Sequence, residues 1–274
     1  MYKFIFAFAA LPFFYVSPVN ALVINTTGVA VVEDFTGFTG AGFSPTPTAG
    51  QLNSDAWRIT GLSDGDGVFG STYNSGDFAR GMASAGVSNG GLWSFDVDSG
   101  AGVDASLGVQ PTGSDFSPGS ITLRVLNGSS TTLTSLLVAY DVHVFNDAMR
   151  ASFFDFSYSL DDATYIDVPS VSITSNGVAD DLPEWTRFSR SLMLTGLNVF
   201  DADFFYLRWL SDDVNGSRSR DQFALDNISV TGFSSAASTP VPAPASWLLI
   251  VVGLVMVSWQ KRVGRINYKS RDAY

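Results

Sequence analysis

The chain of 274 residues has no cysteine, one histidine and three lysines. Without cysteine there is no disulfide framework, thiolate nucleophile, zinc–thiolate site or iron–sulfur cluster. The lone His143 cannot supply the histidine trio of a catalytic zinc, and any Ser-His-Asp triad would have to run through it. No Gly-x-Ser-x-Gly elbow accompanies it, because "GSTYNSG" and "GSDFSPG" carry the wrong spacing. His143, beside Asp141, therefore reads as an exposed strand histidine. Long capped helical periods and internal repeats of solenoid or propeller type are also missing.

Positive charge is scarce. Lysine occurs only at Lys3, Lys261 and Lys269, so residues 22–240 hold nine arginines against 25 acids, a net charge of −16. Such a surface repels nucleic acid and anionic lipid, so neither is expected as a partner. Divalent cations and neutral glycans remain compatible. Residues 22–233 are long enough to bury one sizeable core without covalent staples.

What is present in that body is a run of short strands. "SITLRVLNG" alternates Ile121, Leu123 and Val125 with Thr122 and Arg124, the period of a strand with one buried face, and stops at Asn127-Gly128. "SLLVAYDVHVFND" sets Val138, Tyr140, Val142 and Val144 on one face against Asp141 and His143. "FFDFSYSLDD" gathers Phe154, Phe156, Tyr158 and Leu160, with Asp155, Ser157 and Ser159 outward. Further strands are predicted at 56–61, 92–97, 105–109, 191–195, 204–210 and 223–230. Clusters of Gly, Ser, Asp, Asn and Pro such as "GFSPTPTAG" supply the turns between them. The spacing predicts an all-β fold, an antiparallel β-sandwich of jelly-roll type.

Both ends have a different character. "MYKFIFAFAALPFFYVSPVNA" has Lys3, an apolar segment from Phe4 to Val16, and Val19 and Ala21 at the small-residue positions. That is the pattern of a signal peptide over residues 1–21. A Pro/Ser/Ala linker over 234–246 leads to a short apolar transmembrane helix at 247–259. Its ends carry Trp247 and Trp259, and Lys261, Arg262 and Arg265 open a basic cytoplasmic tail at 260–274.

The arrangement of Val241, Pro242 and Pro244 before a short apolar helix and a basic cluster resembles the PEP-CTERM sorting signal of Gram-negative bacteria, with Ala243 where that motif has glutamate. The resemblance implies an exosortase-type processing enzyme as partner, a transient single-pass intermediate in the inner membrane, and release to the cell surface or into extracellular polymer. In the body, "EDFTGF", "QLNSDAWRITGLSDGD", "GDFARG" and "SRDQFALDNISVTG" resemble secreted β-sandwich domains of the carbohydrate-binding-module or lectin-like type. In such modules the first and last strands pair and share a structural calcium, which on this chain implies Glu33, Asp34 and Asp226 as its ligands.

Other motifs read more plainly. "LSDGDG" lacks the closing glutamate of a calcium loop and reads as a tight turn, and "LSDDVNGSRSRD" reads as an exposed ion-pair network of Asp212, Asp213 and Asp221 with Arg218 and Arg220. Glycan binding needs aromatic platforms. Of Trp57, Tyr73, Trp93, Trp185 and Trp209, the two beside polar and turn residues, Tyr73 and Trp185, are the candidates for ligand contact. No catalytic residue stands out. The expectation is a non-enzymatic exported envelope or matrix protein with a structural or glycan-contacting role. The alternatives are a calcium-stabilised lectin or adhesin and, ranking below it, a glycoside hydrolase that works through two carboxylates. Mass spectrometry of the surface-located protein should find body peptides that end before Lys261. Peptides beyond Arg262 still joined to the body would rule out processing at the sorting signal.

Overall fold

Strand alternation decides which side chains meet in the middle of this protein, whose computed structural model describes residues 22–98 and 104–235. The signal peptide, the sorting motif Val241, Pro242 and Pro244, the span from Trp247 to Trp259, and Lys261, Arg262 and Arg265 lie outside the described residues. Among the described residues no helix is long and apolar enough to cross a membrane.

The strands are β1 (Leu22–Ile24), β2 (Ala30–Glu33), β3 (Phe38–Ser44), β4 (Gly50–Asn53), β5 (Trp57–Thr60), β6 (Met82–Ala83), β7 (Gly91–Asp96) and β8 (Ala105–Gln110). The second half holds β9 (Gly119–Asn127), β10 (Leu133–Phe145), β11 (Arg150–Ser159), β12 (Ile166–Asp167), β13 (Ile173–Thr174), β14 (Trp185–Val199), β15 (Phe204–Gly216) and β16 (Gln222–Ser234). One seven-stranded sheet runs β1-β9-β15-β11-β12, with β5 on β9 and β13 on β11. The other runs β14-β10-β16-β8-β7-β6, with β2 on β16, and β3 pairs with β4 apart from both. Among the long strands from β9 onward, each successive one lies in the opposite sheet. The result is a β-sandwich.

The core lies between the sheets. From the first come Ile121, Leu123 and Val125 of β9, Phe154 and Phe156 of β11, and Phe205, Leu207 and Trp209 of β15. From the second come Val138, Tyr140, Val142 and Val144 of β10 and Phe223, Leu225, Ile228 and Val230 of β16. Tyr140 packs on Phe156 and Trp209 with ring centroids 5.4 and 5.3 Å apart, and burial pushes its hydroxyl well above the usual tyrosine range. Asn127 ends β9 with no exposed surface. Its amide donates to the carbonyls of Thr131, Val199 and Phe200, which anchors the turn after β9 to the turn after β14.

The outward faces are less open than alternation alone suggests. Ser157 and Ser159 do point away from the core, yet they are 2% and 1% exposed. Covering segments explain this. Asp162 takes a bidentate pair from Arg58 at 2.6 Å, Arg208 stacks on Tyr165, and Phe69 lies against both Arg58 and Arg124. These contacts hold the loop after β11 and the loop around Phe69 onto the outside of the first sheet. Leu160, assigned to the inward set, is instead 43% exposed at the end of β11, where the chain turns away.

Candidate functional site: an aromatic rim beside a polar cleft

On the outer face of the second sheet the cross-strand register sets Arg187, His143, Ala224, Gly108 and Trp93 side by side. Ala224 and Gly108 have almost no side chain, so the middle of this row is a gap. Phe95 fills it. A Cβ built on Gly108 would fall inside the edge of the Phe95 ring. Trp185 reaches in from the opposite side. Strands β7 and β14 are separated by three others, about 19 Å on a flat sheet, yet the Phe95 and Trp185 ring centroids are 5.1 Å apart. The two rings lean toward each other across the face. Trp93 stacks on Phe95 at 6.3 Å and Phe145 meets Trp185 at 5.3 Å, which completes a four-ring cluster.

Both indole N–H groups bond the same segment, residues 84–89. Trp185 Nε1 donates to the Ser84 carbonyl at 2.7 Å and Trp93 Nε1 to that of Asn89 at 3.1 Å. Gln222, fully buried, secures the segment from below. Its Oε1 accepts from the Gly86 N–H, and its Nε2 donates to the Val87 carbonyl and to Gln110 Oε1. Gln110 in turn donates to the carbonyls of Pro111 and Arg220. Buried amides with their hydrogen bonds made stiffen a site rather than weaken it.

This segment is also one wall of an open cleft of about 450 Å³, lined by Gly86, Val87, Gln110, Thr112, Asp147 and Arg218 among others. The lining mixes glycine backbone, hydroxyl, amide and both signs of charge. Arg220, on the same wall, is held by Asp213 through two 2.6 Å contacts, and Arg150 shares that carboxylate at 2.5 Å. The expected exposed network of Asp212, Asp213 and Asp221 with Arg218 and Arg220 is therefore corrected. Asp213 joins β15 to β11 and to the start of β16, and Asp221 is fully buried.

His143 is corrected too: it is 6% exposed, not open. The four-ring cluster and the 84–89 segment cover its end of the outer face. Its Nε2 has no hydrogen-bond partner. Burial lowers its proton affinity, Arg187 lowers it further, and Asp141 and Asp104 work in the other direction. Asp141 accepts from Ser189 at 2.5 Å and from Asn227 at 3.1 Å, so the hydroxyl bonds the acid with no histidine between them.

Of the ligand-contact residues named from sequence, Trp185 is in the rim, half-buried with part of its ring at the surface. Tyr73 is elsewhere. Its ring stacks on Phe78 at 4.4 Å and its hydroxyl accepts from the Val68 N–H, so one ring face and the polar tip are already in use. The rim partners Trp93, Phe95 and Phe145 escape single-strand reading, because only the register of five strands brings them to Trp185.

The three carboxylates named for calcium are at the β2–β16 pairing, where Glu33 sits opposite Ile228. Glu33 Oε1 takes the Phe35 N–H and Asp34 Oδ1 takes the Thr36 N–H, both local turn bonds. Asp226 is 1% exposed, and Asn227 bonds both of its oxygens, one through the backbone and one through the side chain. Among the described residues no three His, Asp or Glu side chains are grouped to hold a metal ion. The three residues as placed do not fit a shared calcium. Burial pushes Asp226 up to about 7, aided by the negative charge of Asp104, Asp141 and Asp34.

No protein-family model and no curated protein sequence matches the chain. Among solved structures, the K2 cleaved adhesin domain of Lys-gingipain aligns with 74% of this chain and 99% of its own length, at 15% identity and a TM-score of 0.39. A structure titled "CBM4 structure and function" aligns with 66% of this chain and 96% of its own, at 12% identity and a TM-score of 0.33. The CBM22-1 xylan-binding domain from Paenibacillus barcinonensis Xyn10C aligns over 56% and 92%, at 11% identity and a TM-score of 0.33. At such scores the likenesses assign neither a family nor a ligand, and the sandwich rests on this chain's own strands.

Two measurements follow from this geometry. Gly108→Val, which drives a side chain into the Phe95 ring, should cost about 1–3 kcal/mol in urea unfolding, whereas Gly113→Ala, with nothing within 4 Å of its Cβ, should cost little. Equal midpoints for the two variants would contradict the packing. The second measurement concerns pH. Asp226, raised to about 7, binds its proton more tightly folded than unfolded. Its stabilising contribution is complete below about pH 4 and is lost as pH climbs through 7. His143, lowered by burial, acts in the opposite sense only below its unfolded value of about 6.5. With a chelator present, stability should therefore fall by on the order of 1 kcal/mol between about pH 6.5 and 8, and Asp226→Asn should flatten that fall. A rise in stability over the same interval would show that the carboxyl is not desolvated.

Proposed function

We propose that this is a non-enzymatic exported protein whose β-sandwich contacts extracellular glycan through the Trp93–Trp185 rim and the adjoining cleft. The observation that carries the reading is the juxtaposition of two part-exposed indoles with an open polar cleft across one rigid segment, residues 84–89. Sugar rings present C–H faces that stack on aromatic rings, and their hydroxyls exchange hydrogen bonds with amides, hydroxyls and charged groups. The lining offers both kinds of partner. The indole N–H groups are bonded to backbone, so the rings are fixed before any ligand arrives, which limits the entropy lost on binding. The acidic, lysine-free body favours neutral over anionic saccharides. Export and sorting rest on residues 1–21 and on the Val241–Pro244 motif with its apolar span and basic flank, and the jelly-roll form of the sandwich belongs to the same reading.

The purified body, applied to a glycan array and titrated against the best polysaccharide, should bind in the presence and in the absence of chelator. Trp185→Ala and Trp93→Ala should each weaken binding at least about tenfold, the loss of one stacked ring, while Tyr73→Phe leaves it unchanged. No binding to any glycan by the folded parent would overturn the proposal. Polysaccharide turnover abolished by a single carboxylate-to-amide change would replace it with a hydrolase.

A further inference from the structure

Two buried oxygens at one end of the sandwich have no hydrogen-bond donor. Asp221, at the entry to β16, is fully buried, and while its Oδ1 accepts from the Ala148 N–H at 3.0 Å, its Oδ2 has no partner. Asn146, in the β10–β11 turn, is 9% exposed. Its Nδ2 donates to the Val178 carbonyl at 3.0 Å and to Asp180 Oδ1 at 2.8 Å, so the amide cannot be turned round without setting an oxygen against two acceptors. Asn146 Oδ1 is thereby left without a partner. Ser175, whose Oγ accepts from the Ser152 N–H, lines a cavity of about 230 Å³ together with Asn146 and Asp180, and it also stands beside Asp221.

The surroundings supply further negative charge and no available cation. Asp147 and Asp180 act on Asp221 through their charge. Arg150 and Arg220, the basic side chains on the flanking strands, are both committed to Asp213. A buried acceptor without a donor costs about 1–3 kcal/mol, and an unpaired buried charge costs more. One proton on Asp221 would relieve one of the two oxygens. A cation relieves both.

We propose that this cavity is a calcium site in which Asp221 Oδ2 and Asn146 Oδ1 are the side-chain ligands, with main-chain oxygens and water completing the shell. Calcium takes six to eight oxygens in irregular geometry and accepts amide, carbonyl and water alongside carboxylate. Magnesium demands a regular octahedron. A mixed set of this kind agrees with the absence, among the described residues, of three grouped acidic or histidine side chains. The site is separate from Glu33, Asp34 and Asp226, and it joins the β10–β11 turn, the 174–181 segment and β16.

Isothermal titration of the chelator-stripped full chain with calcium chloride, near neutral pH, tests the proposal without any glycan. One ion per chain is expected, with affinity in the submillimolar range of extracellular modules, and with a higher thermal midpoint in calcium. Asn146→Ala and Asp221→Asn should each weaken binding at least about tenfold, since each removes a direct ligand. Asn146→Asp should tighten it, and Asp226→Asn should leave it unchanged. Should Asp221→Asn fail to fold, the two Asn146 variants decide. No binding by the folded parent at about 10 mM calcium, undiminished binding by Asn146→Ala, or loss of binding in Asp226→Asn would each overturn it.

Discussion

Tyr140, Phe156 and Trp209 meet edge-on and face-on between the two sheets, with centroids 5.3 to 5.6 Å apart. One ring comes from the second sheet and two from the first, so this contact sets how the layers face each other. Side chains alternate strictly along a strand, and an inward Tyr140 therefore dictates an outward Asp141, His143 and Phe145. The neighbouring strands, held in register, then place Ala224 and Gly108 beside His143 and open the gap that Phe95 and Trp185 occupy. The aromatic rim is in this sense a product of the core on the other side of the sheet.

A shortage of cations shapes the rest. Six of the nine arginines of the body are in ion pairs, with Asp162, Asp77, Asp55, Asp141 and, twice, Asp213. The other carboxylates need different partners, and many take backbone N–H groups. Asp161 accepts from Ala163 and Thr164, and Asp115 from Ser63, which holds both below the usual carboxylate range although burial of Asp115 opposes it. The carboxylates in this way fold the loops. Asp221 and Asp226, buried at the two ends of the β16 segment that lines the outer face, have the least compensation, and both are raised, to about 6 and about 7.

The long strands were readable because each has one apolar face repeating every second residue. The faces of β9, β10 and most of β11 follow directly from Ile121, Val138 and Phe154 and their alternates. Short strands such as β6, β12 and β13, at two residues each, carry no such period. Outward was also not the same as exposed. His143, Ser157 and Ser159 point away from the core and are still covered, by segments distant in sequence whose placement depends on contacts such as Arg58 with Asp162 and Trp185 with Ser84. Trp185 was readable as a site residue because it opens a strand directly after Pro183 and Glu184. Tyr73 resembled it in composition but differs in having Phe78 within stacking reach.

The placement of the indoles also makes the protein its own optical probe. Trp57 and Trp209 are sealed at 2% and 0% exposure, whereas Trp93 and Trp185 border solvent on the outer face. Emission from the first pair should be blue and shielded from aqueous quenchers, and emission from the second redder and open to them. Light from the rim can thus be separated from light from the core in an unlabelled sample, so that occupancy of one face can be followed independently of the folding of the whole.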